Sequence, residues 1–220
     1  MIDVIRPRNN EKDLISMAEK LGYSGLCFLY DRPDRKTRDL VAGLQKSTGL
    51  KLYIGSGRAS PNADLVFTDI NDKNPRQAME DGNVDAVHGF EKIRARDRTN
   101  QRISGLDTVL CRIAAQKGKI YCVDFGSMIG MSGSARANAM GKLRQNLMLC
   151  RKYRIRVAIA SFASGPMMMR NPLDLSAFLA VLGYDEGRKT AKALEERAAY
   201  NQKKKKGDII AEGVEKKGKA

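Results

Sequence analysis

Residues 139–160 read AMGKLRQNLMLCRKYRIRVAIA, and this stretch contains the two kinds of element from which the fold is built. In its first part Leu143, Leu147 and Cys150 recur at helical spacing, which predicts a helix with one apolar face. The short apolar run 157–160 then predicts a strand that is buried on both faces of a parallel sheet. A helix followed directly by such a strand indicates an α/β protein.

The positive charge of the chain is concentrated around this stretch. Residues 125–173 contain eight Lys or Arg residues and no Asp or Glu, and the eight account for just over half of the formal net charge of +15. They are Arg136, Lys142, Arg144, Arg151, Lys152, Arg154, Arg156 and Arg170. Because hydrophobic periodicity runs through the segment, these charges belong to a folded surface and not to a disordered tail. A structured, acid-free surface predicts a polyanionic partner such as RNA.

Strands and helices alternate on both sides of this unit along the 220 residues. Short apolar runs predict seven strands, at residues 1–5, 25–30, 50–54, 65–68, 84–87, 119–123 and 156–160. We find no eighth strand. The alternation predicts βα units around a parallel sheet in one domain, residues 1–200. The last helix of that domain is predicted over 185–200, and residues 201–220 are predicted to form a basic, mobile tail because they have few apolar residues.

Two of the predicted helices begin at capping residues. Ser104 is predicted to cap a helix that ends at Gly118. Asn171 is predicted to cap the next one, because Pro172 suits the first helical turn and Asp174 favours the positive end of the helix dipole.

In a parallel barrel the loops that follow the strands share one rim. Arginine follows several of the predicted strands, namely Arg6, Arg8, Arg32, Arg35, Arg58 and Arg170, and the loop 92–102 is also rich in arginine. We therefore predict RNA contacts on this rim and on the basic helix. The predicted RNA-binding residues are Arg58, Arg94, Arg96, Arg98, Arg102, Lys142, Arg144 and Arg170.

The chain carries few of the residues that hydrolytic catalysis needs. Metal-dependent phosphoesterases use several His and carboxylate ligands, whereas His88 is the one histidine of this sequence. Asp3 and Asp124 are interpreted as residues that cap loops or pair with neighbouring arginines, with a catalytic role as the less favoured alternative. We predict no catalytic residue, no metal ligand and no cofactor in this chain.

The cysteines and the hydropathy of the chain predict its cellular compartment. Cys27, Cys111, Cys122 and Cys150 form no CxxC pair, so we predict reduced cysteines in the core of a cytoplasmic protein. The N-terminus is too polar for a signal peptide, and no apolar run approaches membrane-spanning length. We expect no contact with a membrane.

Three stretches resemble a known family: SGLDTVLCRIAAQKG (104–118), RQNLMLCRKYRIRVAIASFAS (144–164) and RNPLDLSAFLAVLG (170–183), with LGYSG (21–25) as lesser support. The family that they resemble is ribonuclease P protein component 3, found in archaeal and eukaryotic enzymes. The resemblance implies a TIM-barrel-like fold related to the histidinol-phosphatase-type metal hydrolases. The absent eighth strand implies an irregular closure at the C-terminal end of the barrel.

The same resemblance implies a function. Ribonuclease P is a ribonucleoprotein endoribonuclease that removes the 5′ leader from precursor tRNA, and its RNA subunit performs the catalysis. The implied partners are the ribonuclease P RNA, protein component 2, other protein subunits and precursor tRNA as substrate, with magnesium required through the RNA. The alternatives are a stand-alone metal-dependent barrel phosphoesterase and a general RNA-binding protein. The single histidine disfavours the first, and the three family stretches disfavour the second.

Overall fold

Parallel strands wound in sequence order form the centre of this computed structural model, which describes residues 1–71, 74–93, 102–207, 209–211 and 214–215. The described part contains one seven-stranded sheet in the order β1 to β7, and each strand is parallel to the next. The strands are β1 (Ile2–Ile5), β2 (Gly25–Tyr30), β3 (Lys51–Ser56), β4 (Leu65–Asp69), β5 (Ala86–His88), β6 (Ile120–Asp124) and β7 (Arg156–Ala160). The predicted TIM-barrel-like α/β fold with seven strands is confirmed.

Helices connect the strands and cover the outside of the barrel. They are α1 (Glu11–Lys20), α2 (Arg35–Gln45), α3 (Pro75–Glu80), α4 (Thr108–Gln116), α5 (Phe125–Ile129), α6 (Gly133–Tyr153), α7 (Pro172–Val181) and α8 (Gly187–Lys206). None of the helices in the described part of the chain is long and apolar enough to cross a membrane. The backbone at Ile209–Ala211 and Val214–Glu215 forms a separate antiparallel pair, β8 and β9.

The predicted cap at Ser104 is wrong, whereas the cap at Asn171 is confirmed. Helix α4 begins after Asp107, whose side chain accepts a hydrogen bond of 2.8 Å from the backbone N–H of Leu110. Ser104 lies in the buried approach to this helix and leaves its hydroxyl without a hydrogen-bond partner among the described residues. Asn171 accepts a bond of 2.7 Å from the N–H of Leu173 at the start of α7.

The core has an inner and an outer part. Inside the barrel, alternate side chains of the strands pack together, among them Val4, Phe67 and Cys122. Outside it, the apolar face of α6 packs against the sheet with Leu143, Leu147 and Cys150 fully buried, as predicted. The prediction of reduced core cysteines is also confirmed, because all four cysteines are buried free thiols. Burial raises the pKa of each of these thiols.

The seam between β7 and β1 is closed by a buried carboxylate. The N–H and the hydroxyl of Ser161 donate to the two Asp3 carboxylate oxygens over 2.7 and 2.6 Å, and Asp3 is fully buried. The N–H of Phe162 donates to the carbonyl of Val4 over 2.8 Å. The predicted irregular closure is therefore confirmed, since a few hydrogen bonds join β1 to the residues after β7 in place of a regular strand ladder.

Helix α8 closes the end of the barrel at which the strands begin. Ala193, Leu194 and Ala198 pack into the interior core. Polar contacts hold the helix across the strand starts: Lys51 pairs with Glu195 at 2.7 Å and Arg197 pairs with Asp85 at 2.6 Å. The helix thus plugs the end of the barrel at which the strands begin, whereas the seam between β7 and β1 is joined by the residues that follow β7.

Helix α8 also runs further than the sequence predicts, from Gly187 to Lys206 instead of ending at residue 200. The Lys205 ammonium donates to the backbone carbonyls of Pro61 and Ala63, which fixes the last turn against the loop before β4. The division into a domain over 1–200 and a tail over 201–220 stays a prediction.

Candidate nucleic-acid interface

A cavity of about 860 Å³ opens at the rim where the strands end. Arg6, Tyr30, Arg58, Asp69 and His88 are among the residues that line it, so β1, β2, β3, β4 and β5 each contribute from or just beyond their ends. The Arg6 guanidinium lies 5.1 Å from the centre of a buried phenylalanine ring, which holds the charge above the barrel interior. Arg6 and Arg58, from the loops after β1 and β3, therefore line one cavity.

Lys92 lies between two carboxylates at the centre of this rim. Its Nζ is 3.2 Å from Asp69 Oδ2 at the end of β4 and 3.3 Å from Asp124 Oδ2 at the end of β6. Burial alone would lower the pKa of Lys92, but the two carboxylates outweigh it and raise that pKa. Burial likewise opposes ionisation of Asp69, yet the hydrogen bonds from Asn71 and the charge of Lys92 leave its pKa lowered. The single ammonium therefore offsets part of the negative charge of the two acids at the rim.

His88 and Glu91 are buried beside this ion pair. Burial lowers the pKa of His88 to about 4, although the nearby Asp69 opposes the shift, so the imidazole is neutral at physiological pH. Its ring stacks 4.7 Å from the ring of Phe162. Burial raises the pKa of Glu91 to about 8, and neither carboxyl oxygen has a hydrogen-bond partner in the described part of the chain. Both side chains are thus buried and uncharged at neutral pH.

The interpretation of Asp124 as a capping residue is confirmed, whereas Asp3 bonds across the barrel seam, and among the described residues the ion-pair partner of Asp124 is a lysine. Asp124 accepts a bond of 2.9 Å from the N–H of Ser127 at the start of α5 and pairs with Lys92. Asp3 bonds to Ser161 at the barrel seam. Burial raises the pKa of Asp3 to about 6. Sequence reasoning missed the Lys92 ion pair, although acids that end two predicted strands were the available signal.

Two predicted RNA-binding arginines lie on rim loops. Arg58 follows β3 with 72% of its side chain exposed, and its Nε is 3.6 Å from Asp31 Oδ1, which is itself exposed. Arg170 precedes α7 and donates from Nη1 to the carbonyls of Met167 and Met169 over 3.0 and 2.8 Å. Arg58 is therefore placed for contact with a ligand, whereas Arg170 also holds its own loop.

Helix α6 anchors the described ends of the arginine loop. Lys142 is buried and donates to the carbonyl of Ile93 over 2.9 Å, so its charge supports the loop more directly than it offers itself to RNA. The Arg102 guanidinium packs over the bare backbone of Gly141, and its carbonyl accepts a bond of 3.3 Å from Gln145. Arg144 is exposed on the same helix.

The remaining predicted contacts, Arg94, Arg96 and Arg98, lie outside the described residues. Their role in RNA binding stays a prediction, as it does for Arg58, Arg102, Lys142, Arg144 and Arg170. The structure brings only some of the predicted RNA-binding residues close to one another. Lys142 and Arg144 lie on α6 and Arg102 packs against that helix, whereas Arg58 lies beyond the end of β3.

Comparison with known proteins gives the same family as the three sequence stretches. The chain is 27% identical over 194 residues to ribonuclease P protein component 3 of Methanosarcina mazei, covering 81% of this chain and 77% of that protein. It is 26% identical over 198 residues to the protein of the same name from Methanocaldococcus jannaschii, covering 82% of each. The chain is similar to ribonuclease P protein component 3, as predicted. No protein-family model matches it.

A solved structure extends the similarity to component 3 to the fold. A chain in the cryo-EM structure of archaeal ribonuclease P with mature tRNA superposes with a TM-score of 0.80 over 100% of both chains, at 23% identity. At this identity the match shows a shared fold. It agrees with the TIM-barrel-like architecture described above.

The geometry of the rim disfavours the alternative of a stand-alone metal-dependent phosphoesterase. Within the described ranges, no group of three or more His, Cys, Asp or Glu side chains is arranged to hold a metal ion. The two carboxylates that come closest to such a site are bridged by Lys92, and a bound ammonium competes with a divalent cation for the same oxygens. In the described part of the rim, Lys92 thus occupies carboxylate oxygens that a divalent cation would need.

Proposed function

We propose that this chain is a protein subunit of ribonuclease P, the ribonucleoprotein that generates mature tRNA 5′ ends by endonucleolytic removal of the 5′ leader. The similarity to component 3 proteins over about four fifths of the chain carries the proposal. In this role the chain is a non-catalytic part of an endoribonuclease, and the RNA subunit performs the cleavage. The proposed compartment is the cytoplasm.

The partners follow from the same role. The chain binds the ribonuclease P RNA, assembles with protein component 2 and other protein subunits, and meets precursor tRNA as the substrate of the whole particle. The exposed rim arginines and the outer face of α6 are the proposed RNA contacts, because arginine grips phosphate oxygens bidentately. The chain itself holds no cofactor, and magnesium enters the particle through the RNA.

Reconstitution tests the proposal directly. Precursor-tRNA cleavage is measured with the ribonuclease P RNA and the other protein subunits, with and without this chain. We expect the chain to raise the rate or to lower the magnesium that cleavage needs, and we expect the chain alone to cleave nothing. If omitting the chain changes neither quantity, the proposed role is refuted. Metal-dependent phosphoesterase activity of the pure chain that is lost in His88→Ala would instead establish the alternative.

A further inference from the structure

A second basic cavity lies at the opposite end of the barrel, where β7 begins. Its volume is about 620 Å³, within the range of cavities that hold a nucleotide-sized group. The end of α6, the start of β7 and the start of α8 supply six basic side chains and two acidic ones. The basic residues are Arg151, Arg154, Arg156, Arg188, Lys189 and Lys192, and the acidic ones are Glu186 and Glu196.

Several of these charges are held in place by contacts within the protein. Arg151 donates to the carbonyl of Gly183 over 2.7 Å, and its guanidinium lies 5.4 Å from the centre of the Tyr184 ring. Arg156 donates to the carbonyl of Gly118 over 3.1 Å. Positively charged groups that are already ordered lose less conformational entropy when they bind an anion.

Arg154 has an unusual backbone conformation at the mouth of this cavity. Helix α6 ends in a Schellman motif, in which the N–H of Ile155 bonds to the carbonyl of Cys150 over 2.9 Å and the N–H of Arg154 bonds to that of Arg151 over 3.3 Å. Arg154 occupies the left-handed position of this motif with φ of 57°, where glycine is the usual residue. A side chain with a Cβ atom is disfavoured there, so the strain is consistent with a use for this guanidinium at the cavity.

We propose that this cavity binds a phosphate group of an RNA backbone. Glu186 pairs with Lys189 at 3.0 Å and lies 3.9 Å from Arg151, but six basic groups against two acidic ones leave the cavity with a positive balance. Such a cavity suits a phosphodiester, whose non-bridging oxygens accept several charge-assisted hydrogen bonds. The length of a five-residue strand, about 16 Å, separates this end of the barrel from the rim, so the two surfaces contact different segments of one RNA. That this RNA is the ribonuclease P RNA rests on the proposed function.

The test uses Arg154→Gly, which removes the charge and relieves the backbone strain together. The full chain is titrated with ribonuclease P RNA and with an unrelated structured RNA over a range of salt concentrations. We expect binding to weaken about 5-fold and the slope of log K against log salt to fall by about 1, as for one lost phosphate contact. The melting temperature should stay the same or rise, which separates lost binding from lost folding.

Two further variants complete the design. The pair Arg188→Ala and Lys192→Ala removes charge from the α8 side of the cavity and should reproduce the loss of affinity and slope. Arg112→Ala is the matched control, because Arg112 is exposed on α4 and lines neither cavity. Unchanged RNA binding in Arg154→Gly, or an equal loss in Arg112→Ala, would overturn the proposal.

The remaining outcomes separate the ligand sources and the two proposals. If AMP binds the cavity tightly and Arg154→Gly abolishes that binding while RNA affinity is unchanged, the site takes a free nucleotide and the RNA proposal fails. If Arg154→Gly lowers the affinity for both RNAs, but the wild-type chain neither prefers ribonuclease P RNA nor aids cleavage, the phosphate site is supported and the proposed function is refuted.

Discussion

The buried carboxyl of Asp3 should make the unfolding free energy of this protein decrease as the pH rises. A single substitution at Asp3 should remove this contribution to the pH dependence. Burial raises its pKa from the ordinary 3.8 to about 6, although Ser161 and Val4 donate hydrogen bonds to it. The folded state therefore favours the protonated acid. Its contribution to stability is fully present below the unfolded-state pKa and is lost as the pH rises through the folded-state pKa.

The magnitude follows from the two pKa values. Their difference corresponds to about 3 kcal/mol of unfolding free energy between acid and neutral pH. About half of that, ~1.4 kcal/mol, is lost between about pH 5 and about pH 8, where the protein is more easily studied. Asp3→Asn removes the ionisation. The amide oxygen still accepts from the N–H groups of Val4 and Ser161, and the Ser161 hydroxyl can rotate to accept from the amide nitrogen.

The assay is urea unfolding of the wild type and of Asp3→Asn at several pH values in this interval. We expect the stability of the variant to rise relative to the wild type by about 1.4 kcal/mol from the acid to the alkaline end. Asp39→Asn, at an exposed site on α2, is the control for the loss of one negative charge. If the difference between wild type and Asp3→Asn is constant across the interval, the carboxyl has no raised pKa and the argument is wrong.

Three other predictions follow from the rim and its charge. Lys92→Met should destabilise the fold by about 2 kcal/mol, because Asp69 and Asp124 lose their shared counter-ion; denaturant unfolding measures this, and an unchanged midpoint would contradict it. Glu91→Gln should gain stability over the wild type as the pH rises through about 8, since the pKa of the buried acid is raised; melting temperatures at neutral and alkaline pH test the sign. RNA affinity should fall about a hundredfold when salt rises fourfold, whereas a salt-insensitive affinity would show that the basic surfaces are merely solvated.

Local pattern predicted the elements of this fold well. The predicted bounds of strand β7 agree with the structure at both ends, and the buried face of α6 was predicted correctly. Both predictions depend on the local pattern of apolar residues. The role of α8 could not be predicted. Its closing contacts join Arg197 to Asp85, residues more than a hundred positions apart, and its apolar side consists mainly of alanines that give a weak pattern.

The candidate site was predicted less completely, because the sequence does not show whether a charged side chain is buried or exposed, or which surface it belongs to. Lys142 and Arg144 are two residues apart in the same basic helix, yet one is buried under a loop and the other is exposed. Two basic runs, at 151–156 and 187–192, meet around one cavity although the helix α7 lies between them in sequence. Only the three-dimensional arrangement shows which charges share a surface.

The way α8 fills the barrel has a consequence for synthesis on the ribosome. The strands emerge in the order in which they pair, so the sheet can grow from the N-terminus while translation continues. Its interior, however, is completed by Ala193, Leu194 and Ala198, which are made after every strand of the sheet. A chain that ends before α8 leaves the apolar residues at the open end of the barrel uncovered. The interior core is therefore complete only after α8 has been made, so the last helix of the barrel decides whether the sheet is packed.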